Sequence, residues 1–182
     1  MKRILLIALL LLAGCGGPWL RVGGPYTADD FNVKVDFPEK WMRMNTNDYL
    51  LVTRDGVLLH YILIETMRVD DALKHTKKKF KRGMLPQEAA EVILDNKTSN
   101  SEVLNFHLVE NSPARIGGLP GFKAVYTFKD KDGLKVKGIY YGFLLKDQFY
   151  GVSYSAASRY YYEKDLKTFE KVFKSFKLIK AA

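Results

Sequence analysis

The histidines are the first residues to consider for metal or acid–base chemistry. His60, His75 and His107 are far apart in the sequence, and neither a His-Glu-x-x-His motif nor a cysteine pair is present, so the usual zinc spacings are missing. Asp130–Gly133 contains two aspartates but not the acidic residue that would close a calcium loop, and a turn explains it better. The sequence therefore predicts isolated structural or surface histidines, with no metal site and no cofactor.

Nucleophiles and phosphate-binding loops give no stronger indication. Ser153, Ser155 and Ser158 lie near one another but outside any Gly-x-Ser-x-Gly motif. Asp70-Asp71 is an adjacent pair, and adjacent residues on a helix point apart, so a helix N-terminus explains it better than paired carboxylates. Gly117–Gly121 lacks the lysine and the following helix of a P-loop. No catalytic residue is predicted, and we expect the protein not to be an enzyme.

Cys15 is the one residue whose setting points to definite chemistry. A positive start, Met1-Lys2-Arg3, precedes an apolar run from Ile4 to Leu12 that is about half the length of a membrane span. The following tetrad, Leu12-Ala13-Gly14-Cys15, resembles the lipobox of bacterial lipoproteins. The resemblance implies transfer of diacylglycerol to the Cys15 thiol, cleavage before Cys15 and acylation of the new N-terminus, as in palmitate-bearing lipoproteins. The alternative is an ordinary secretory signal with a chance cysteine.

Composition and charge set the class of protein and its surroundings. Hydrophobic residues make up 47% and charged residues 27% of the 182 residues, which excludes a disordered or collagen-like chain, and the single cysteine excludes a disulfide scaffold. Lys+Arg number 29 against 20 Asp+Glu, giving a net charge of +9. A basic chain is often a nucleic-acid binder. An exported, lipid-anchored domain does not meet nucleic acid, so the charge suits anionic envelope surfaces or simple solubility.

The predicted location is the bacterial cell envelope, with the domain facing the periplasm. Gly16, rather than aspartate, follows Cys15. If the organism sorts lipoproteins as enterobacteria do, this favours the outer membrane over the inner membrane. We predict three segments: residues 1–14 as a lipoprotein signal peptide, residues 15–30 as a lipidated flexible tether rich in glycine and proline, and residues 31–182 as one domain.

Hydrophobic periodicity in that domain predicts strands, then helices, then strands and a last helix. Two-residue alternation indicates a strand over Phe31–Phe37, ended by a turn at Phe37–Trp41, and a hairpin is expected at Asp55-Gly56. The remaining predicted strands are Tyr49–Thr53, Val57–Met67, Leu104–Glu110, Phe122–Lys129, Val136–Leu145 and Phe149–Ala157, and the predicted helices are Val69–Arg82, Pro86–Leu94 and Tyr161–Phe176. This order indicates the α+β class, with an antiparallel sheet flanked by helices.

Lysines and tyrosines supply the candidate contact surface. The last helix has aromatic residues on one face, and a row of lysines lies about half a turn away. That row is either a solvated face or a ridge that contacts anionic lipid or an acidic partner. The tyrosines either pack against the sheet or contribute to a binding groove. The candidate contact residues are Lys164, Lys167, Lys171, Lys174, Tyr140 and Tyr160.

Three short motifs carry a resemblance to a known family. Phe37-Pro38-Glu39-Lys40-Trp41 resembles an early turn of the PsbP-like proteins, Gly118-Leu119-Pro120-Gly121-Phe122 resembles their mid-chain turn, and Lys174-Ser175-Phe176 resembles the end of their last helix. The resemblance covers residues 31–178. It implies an α/β/α sandwich, as in extrinsic proteins of the oxygen-evolving complex and bacterial envelope lipoproteins of the DcrB type. The motifs are structural, so no functional residue is carried over.

The expected function is a non-enzymatic binding or assembly module, lipid-anchored in the envelope. Its partner would be the membrane, through Cys15, together with an envelope protein or an anionic lipid surface, and not nucleic acid. A small-ligand binder with a pocket between sheet and helix is the alternative, and an enzyme is the third.

Overall fold

The structure is a computed structural model and describes residues 17–180. Cys15 and the predicted signal peptide 1–14 lie outside these residues. A single 3₁₀ turn, Asp29–Phe31, follows the first strand. The strands are β1 Trp19–Ala28, β2 Val33–Met44, β3 Leu50–Thr53, β4 His60–Arg68, β5 Leu104–Ile116, β6 Leu119–Lys129, β7 Lys135–Leu145, β8 Gln148–Ala157 and β9 Lys177–Leu178, and the helices are α1 Pro86–Thr98 and α2 Tyr161–Ser175.

The strands described form one antiparallel sheet in the order β1-β2-β3-β4-β8-β7-β6-β5, with β9 added beside β2. Most neighbours are consecutive in the chain. The exception is β4, which pairs with β8, because the chain leaves β4 over residues 69–103 and returns at β5. Helices cover both faces of the sheet, so the predicted α+β architecture is confirmed.

Each face of the sheet has its own hydrophobic core. On one face α2 contributes Phe169 and Val172, which pack over the first four strands and β8. On the other face α1 contributes Ala90 and Ile93, together with Phe80 from the segment before the helix. Ser175, in the motif that ends α2, accepts a hydrogen bond from the backbone N–H of Asp36 at 2.9 Å, so the end of the helix is fastened to β2.

The predicted flexible tether at residues 15–30 is wrong for the part of it that the structure describes as β1. Trp19–Ala28 pairs with β2 along its length, and its Val22 is buried. Glycines and Pro25 suggested irregular structure, but β1 is an edge strand, where a missing backbone N–H is tolerated. The folded domain therefore includes β1 and does not begin at residue 31.

The turn predicted at Phe37–Trp41 is a bulge within a longer strand. Val22 lies opposite Trp41 and Gly24 lies opposite Phe37, so β2 contains extra residues that have no partner on β1. Lys40 takes a left-handed φ of 66°, which redirects the strand. The chain then continues in β2 to Met44.

The helix predicted over Val69–Arg82 is absent; the segment is irregular. The Asn96 side-chain oxygen accepts the backbone N–H of His75 at 2.9 Å and of Thr76 at 3.3 Å, so α1 supplies the partners that a helix would have supplied itself. Leu73 and Phe80 are buried, as an amphipathic segment requires. The sequence indicated the buried side chains correctly but the backbone conformation wrongly.

The other predicted elements are confirmed, with boundaries that differ by a few residues except at β5, which continues six residues further to Ile116. Within residues 17–180, neither helix has the length and apolar character needed to cross a bilayer.

Candidate functional site

A cavity of about 300 Å³ lies between the C-terminal end of α1 and the sheet. This volume is at the lower end of the range for small-ligand pockets, roughly 300–1,000 Å³. The wall combines aromatic, amide, hydroxyl and charged groups from α1, the loop after it and strands β4 to β6 and β8. Its lining residues are Tyr61, His75, Asn96, Lys97, Asn100, Glu102, Val103, Phe106, Tyr126, Phe128, Asp130 and Ser155.

Lys97 is the cation of this pocket. It lies in the last turn of α1, and its ammonium sits over the rings of Tyr126 and Tyr140, at 5.3 and 4.9 Å from their centroids. Burial opposes the charge, but the Glu65 carboxylate and a hydrogen bond to Tyr126 are among the contacts that keep the pKa of Lys97 above its ordinary value, so it is charged at neutral pH. Among the described residues, no carboxylate forms an ion pair with Lys97.

Glycines in the sheet make room for the tyrosines under Lys97. Gly138 lies directly opposite Tyr126 on the neighbouring strand, and a Cβ there would come within 2.6 Å of the ring. Gly151 leaves room for Tyr140 in the same way, because a Cβ added at Gly151 would lie 2.3 Å from the Tyr140 hydroxyl. The rings lie flat on the sheet because these positions have no side chain.

Tyr140 belongs to the floor of this region and not to the protein surface. It is only 1% exposed, so its assignment to a contact surface is wrong. Its hydroxyl donates to Glu65 at 2.9 Å, and burial together with the Glu65 charge raises its pKa well above the ordinary value. The residue beneath Lys97 is therefore a neutral phenol at physiological pH, held in place by Glu65.

Two carboxylates of the pocket wall already have partners. Glu102 pairs with Lys131 at 3.1 Å. Asp130 accepts the backbone N–H groups of Asp132 and Leu134 at 3.0 and 2.8 Å, which fixes the turn before β7. The ammonium of Lys97 is thus the cation of the lining and forms no ion pair among the described residues, while Phe106, Phe128 and Val103 provide apolar surface.

A second group of ionisable side chains lies under the start of α2, on the other face of the sheet. Asp165 is buried and pairs with Arg54 at 2.9 Å. Asp55 pairs with Arg54 at 3.2 Å and with Lys164 at 3.0 Å. His60 is 0% exposed, its ring lying against Tyr161 and the edge of Trp41.

This buried cluster also replaces the two-residue hairpin predicted at Asp55-Gly56. The chain makes a longer loop of residues 54–59, because the Thr53 hydroxyl donates to the His60 carbonyl at 2.7 Å and accepts the Gly56 N–H at 3.1 Å. His60 Nε2 accepts the Asp55 backbone N–H at 3.2 Å. The neutral imidazole therefore has its proton on Nδ1, which has no hydrogen-bond partner and lies 4.0 Å from Asp165.

The chemistry of the cluster is structural. Asp55, His60 and Asp165 bring candidate ligand atoms within 4.8 Å of one another, a grouping that also fits a metal ion. Both carboxylates, however, already neutralise Arg54 and Lys164, and a divalent ion would be placed beside those two cations. His60 is closed off from solvent and its Nε2 is occupied, so it does not present a base to a substrate.

The remaining predicted contact residues lie at the surface. Lys164, Lys167, Lys171 and Lys174 are exposed along α2, opposite its buried aromatic face. Tyr160 is 60% exposed, and the Lys164 ammonium sits 5.2 Å from its ring centroid. These residues form a surface separate from the pocket, which lies on the opposite face of the sheet.

Lys97 and Asp165 are functional or buried charged residues that were not predicted from the sequence. Lys97 is one of many lysines, and nothing in its spacing marks it as facing aromatic rings. Asp165 does interrupt the apolar face of α2, since it falls between Tyr162 and Phe169 at helical spacing. That was the one available signal for a buried charge.

Comparisons with known proteins bear on the fold. No family model matches the chain, and no curated protein matches it. The structure is similar to cyanobacterial PsbP (CyanoP) from Synechocystis sp. PCC 6803, with a TM-score of 0.59 and 12% identity over 92% of this chain and 99% of that one. It is also similar to the Saccharomyces cerevisiae Ran-binding protein Mog1p, with a TM-score of 0.57 and 8% identity over 88% and 97% of the two chains.

A third similar structure is a Bacteroides thetaiotaomicron VPI-5482 protein, with a TM-score of 0.55 and 12% identity over 87% of this chain. The chain spans about half of that protein, 49% of its length. At these identities the similarities establish the fold alone. The protein has the α+β fold of PsbP and Mog1, and the three short motifs had led us to expect the PsbP-like fold. Its place in the DcrB-type branch stays a prediction.

Proposed function

We propose that this protein is a lipid-anchored, non-enzymatic binding module of a bacterial cell envelope, and that it binds a small ligand with an anionic group and an apolar part. The observation that carries the proposal is the ammonium of Lys97, which forms no ion pair among the described residues, in a cavity lined by tyrosines and phenylalanines. Of the two binding hypotheses, a pocket between sheet and helix fits this geometry better than a tyrosine-rich surface, because Tyr140 is buried.

The ligand class follows from the chemistry of the lining. A lysine ammonium is a point charge with three donors, suited to a carboxylate, sulfonate or phosphate oxygen. Asn100 and Ser155 add polar groups, and Phe106 and Phe128 add apolar area. A purely apolar ligand would leave Lys97 without an anion, and a cationic ligand would be repelled by it.

The first experiment measures binding of 8-anilinonaphthalene-1-sulfonate, an anionic aromatic dye. We expect wild-type protein to enhance dye fluorescence saturably and Lys97→Met to lose most of that enhancement, because the substitution keeps the aliphatic volume but removes the charge. Lys167→Met is the matched control at an exposed position of α2. Equal dye binding by Lys97→Met and wild type, with both folded, would contradict the pocket.

The lipid anchor rests on Leu12-Ala13-Gly14-Cys15 and is tested separately. Cys15→Ser removes the thiol that accepts diacylglycerol, so we expect the variant to lose incorporation of labelled palmitate and to keep its signal peptide, because removal by the lipoprotein peptidase is blocked. Continued labelling of the variant would contradict the anchor. Fractionation of the wild-type protein would show whether the outer membrane, favoured by Gly16, is its location.

A further inference from the structure

One end of the sheet gathers exposed apolar and cationic side chains close to where the chain leaves Cys15. We call it the anchor end: β1 begins there at Trp19, β3 ends there at Thr53, and β4 begins there at His60. Cys15 precedes Trp19 by four positions, and four extended residues reach at most about 14 Å. If Cys15 carries acyl chains, the anchor end is therefore held near the bilayer surface.

The loop of residues 54–59 is the most exposed apolar feature at this end. Leu58 is 80% exposed, the highest exposure among the large hydrophobic side chains that the structure describes. Trp19 and Met42 line the same depression as the loop, and its volume is about 580 Å³. An exposed leucine beside a tryptophan at the edge of a soluble domain is costly in water and favourable in the interface of a bilayer.

Cations surround this apolar group. Arg54 belongs to the loop itself, and Lys164 reaches it by its ion pair with Asp55. Tyr160, which is 60% exposed, lies beside Lys164. Tryptophan and tyrosine prefer the headgroup layer of a membrane, and lysine and arginine bind its phosphates. Asp55 and the buried Asp165 pair with Arg54 and Lys164, so the group carries no net charge that would repel an anionic surface.

From this arrangement we propose that the protein docks end-on to the bilayer that holds its acyl chains, with Leu58 and Trp19 entering the interface and the ion-paired Arg54 and Lys164 at the level of the lipid headgroups. The proposal rests on the lipid anchor at Cys15. It commits to the membrane because the anchor end is the only part of the described chain tied to the bilayer by a short connection. A protein partner on the same loop is the competing occupant.

The opposite end of the domain offers a matched control. Leu85 is also strongly exposed, at 62%, and stands at the first turn of α1. The helix has 13 residues, so its start is about 18–20 Å from the turn that carries Lys97 at the anchor end. A docked domain keeps Leu85 in water although its exposure resembles that of Leu58.

The experiment uses the full-length protein, processed in cells, with Leu58→Cys or Leu85→Cys labelled by an environment-sensitive nitrobenzoxadiazole dye. Acylated Cys15 cannot react with the dye, so each variant has one free thiol. The purified proteins are reconstituted on vesicles of phosphatidylethanolamine and phosphatidylglycerol that contain a nitroxide-labelled lipid. We expect a blue shift and nitroxide quenching for the label at 58 and neither change for the label at 85.

Mass spectrometry of the same samples measures whether Cys15 is acylated, so failure of the anchor can be distinguished from failure of the docking. An unmodified Cys15 overturns the anchor and the docking with it. An acylated protein whose label at 58 stays in water overturns the docking alone and leaves the loop to a protein partner. Equal burial of both labels also overturns it, because contact would then not be confined to the anchor end.

Discussion

At the scale of single residues, His60 couples stability to pH. Burial lowers its pKa below the ordinary 6.5; the charges of Asp165 and Asp55 oppose this shift, and those of Arg54 and Lys164 favour it. Charging the ring would also put a proton on Nε2, which now accepts the Asp55 N–H. The pKa of His60 is therefore lower in the folded protein than in the unfolded chain.

The expected consequence is a loss of stability in mild acid. As pH falls through 6.5, the unfolded chain binds a proton at His60 before the folded chain does, so the free energy of unfolding falls by up to about 1.4 kcal/mol per pH unit. Chemical denaturation at several pH values measures this slope. We expect His60→Gln to flatten it below pH 6.5, with His107→Gln, at an exposed strand position, as control. An unchanged slope in His60→Gln would contradict the assignment.

Trp41 is among the largest fully buried side chains in the core of the α2 face. It is 2% exposed and meets His60 edge-on, with 5.0 Å between the ring centroids. Trp41→Ala removes a large buried ring, and we expect the free energy of unfolding to fall by about 3–5 kcal/mol. Trp41→Phe retains part of the volume and should lose less. A loss below about 1 kcal/mol in the alanine variant would contradict the packing.

Among the secondary-structure elements, the paired strands shape the pocket at glycine positions, where the missing side chain leaves room for a ring from a neighbouring strand. Gly138 on β7 leaves the space that the Tyr126 ring of β6 occupies beneath Lys97. Gly138→Ala would force the ring off the sheet, so we expect about 1–3 kcal/mol of destabilisation, the usual cost of overpacking, together with weaker dye binding. Denaturant unfolding and dye titration on the same samples measure the two effects.

A control distinguishes pocket shape from a general loss of glycine. Gly118 has a φ of 86° in the turn between β5 and β6, with nothing within 4 Å of an added Cβ, and asparagine is accepted in such turns. Gly118→Asn should bind the dye as wild type does. Unchanged binding by Gly138→Ala would mean that the position of Tyr126 does not shape the site.

At the scale of the whole molecule, the lysines of α2 and the anchor end predict different orientations on a membrane. Lys164 lies at the anchor end, and Lys174 is ten residues, about 15 Å, further along the helix. In the end-on orientation Lys167, Lys171 and Lys174 point away from the bilayer as a solvated face. The pocket shares the anchor end, since Tyr61 follows His60 and Ser155 lies two residues before the end of β8.

Replacing Lys167, Lys171 and Lys174 together with glutamine separates these orientations. The three lysines are exposed and take part in no ion pair among the described residues, so we expect unfolding to change by no more than about 0.5 kcal/mol. We also expect the label at position 58 to remain as blue-shifted on vesicles as in the unsubstituted protein. Loss of that shift would show that the lysine face, and not the anchor end, holds the domain to the lipid.

Most of the architecture could be predicted from the sequence, because local patterns encode it. Alternation and turn residues place β6, β7 and β8 to within a few residues, and one face of α2 is apolar at helical spacing. The lysine row of α2 is exposed for the same reason. Periodicity failed over Val69–Arg82, where the side chain of Asn96 in α1 binds backbone groups, and at β1, where pairing with β2 outweighs glycine and proline.

The functional sites needed the tertiary structure because their residues are joined only by folding. The surroundings of Lys97 are formed by the rings of Tyr126 on β6 and Tyr140 on β7. Tyr140 is buried because Gly151 of β8 leaves room for its ring. His60 and Asp165 are 105 positions apart and meet because α2 folds back over β4. The sequence specified Cys15 as a candidate anchor within one continuous motif, but only the paired strands bring Leu58 to the same end of the domain, since no local pattern encodes proximity between distant segments.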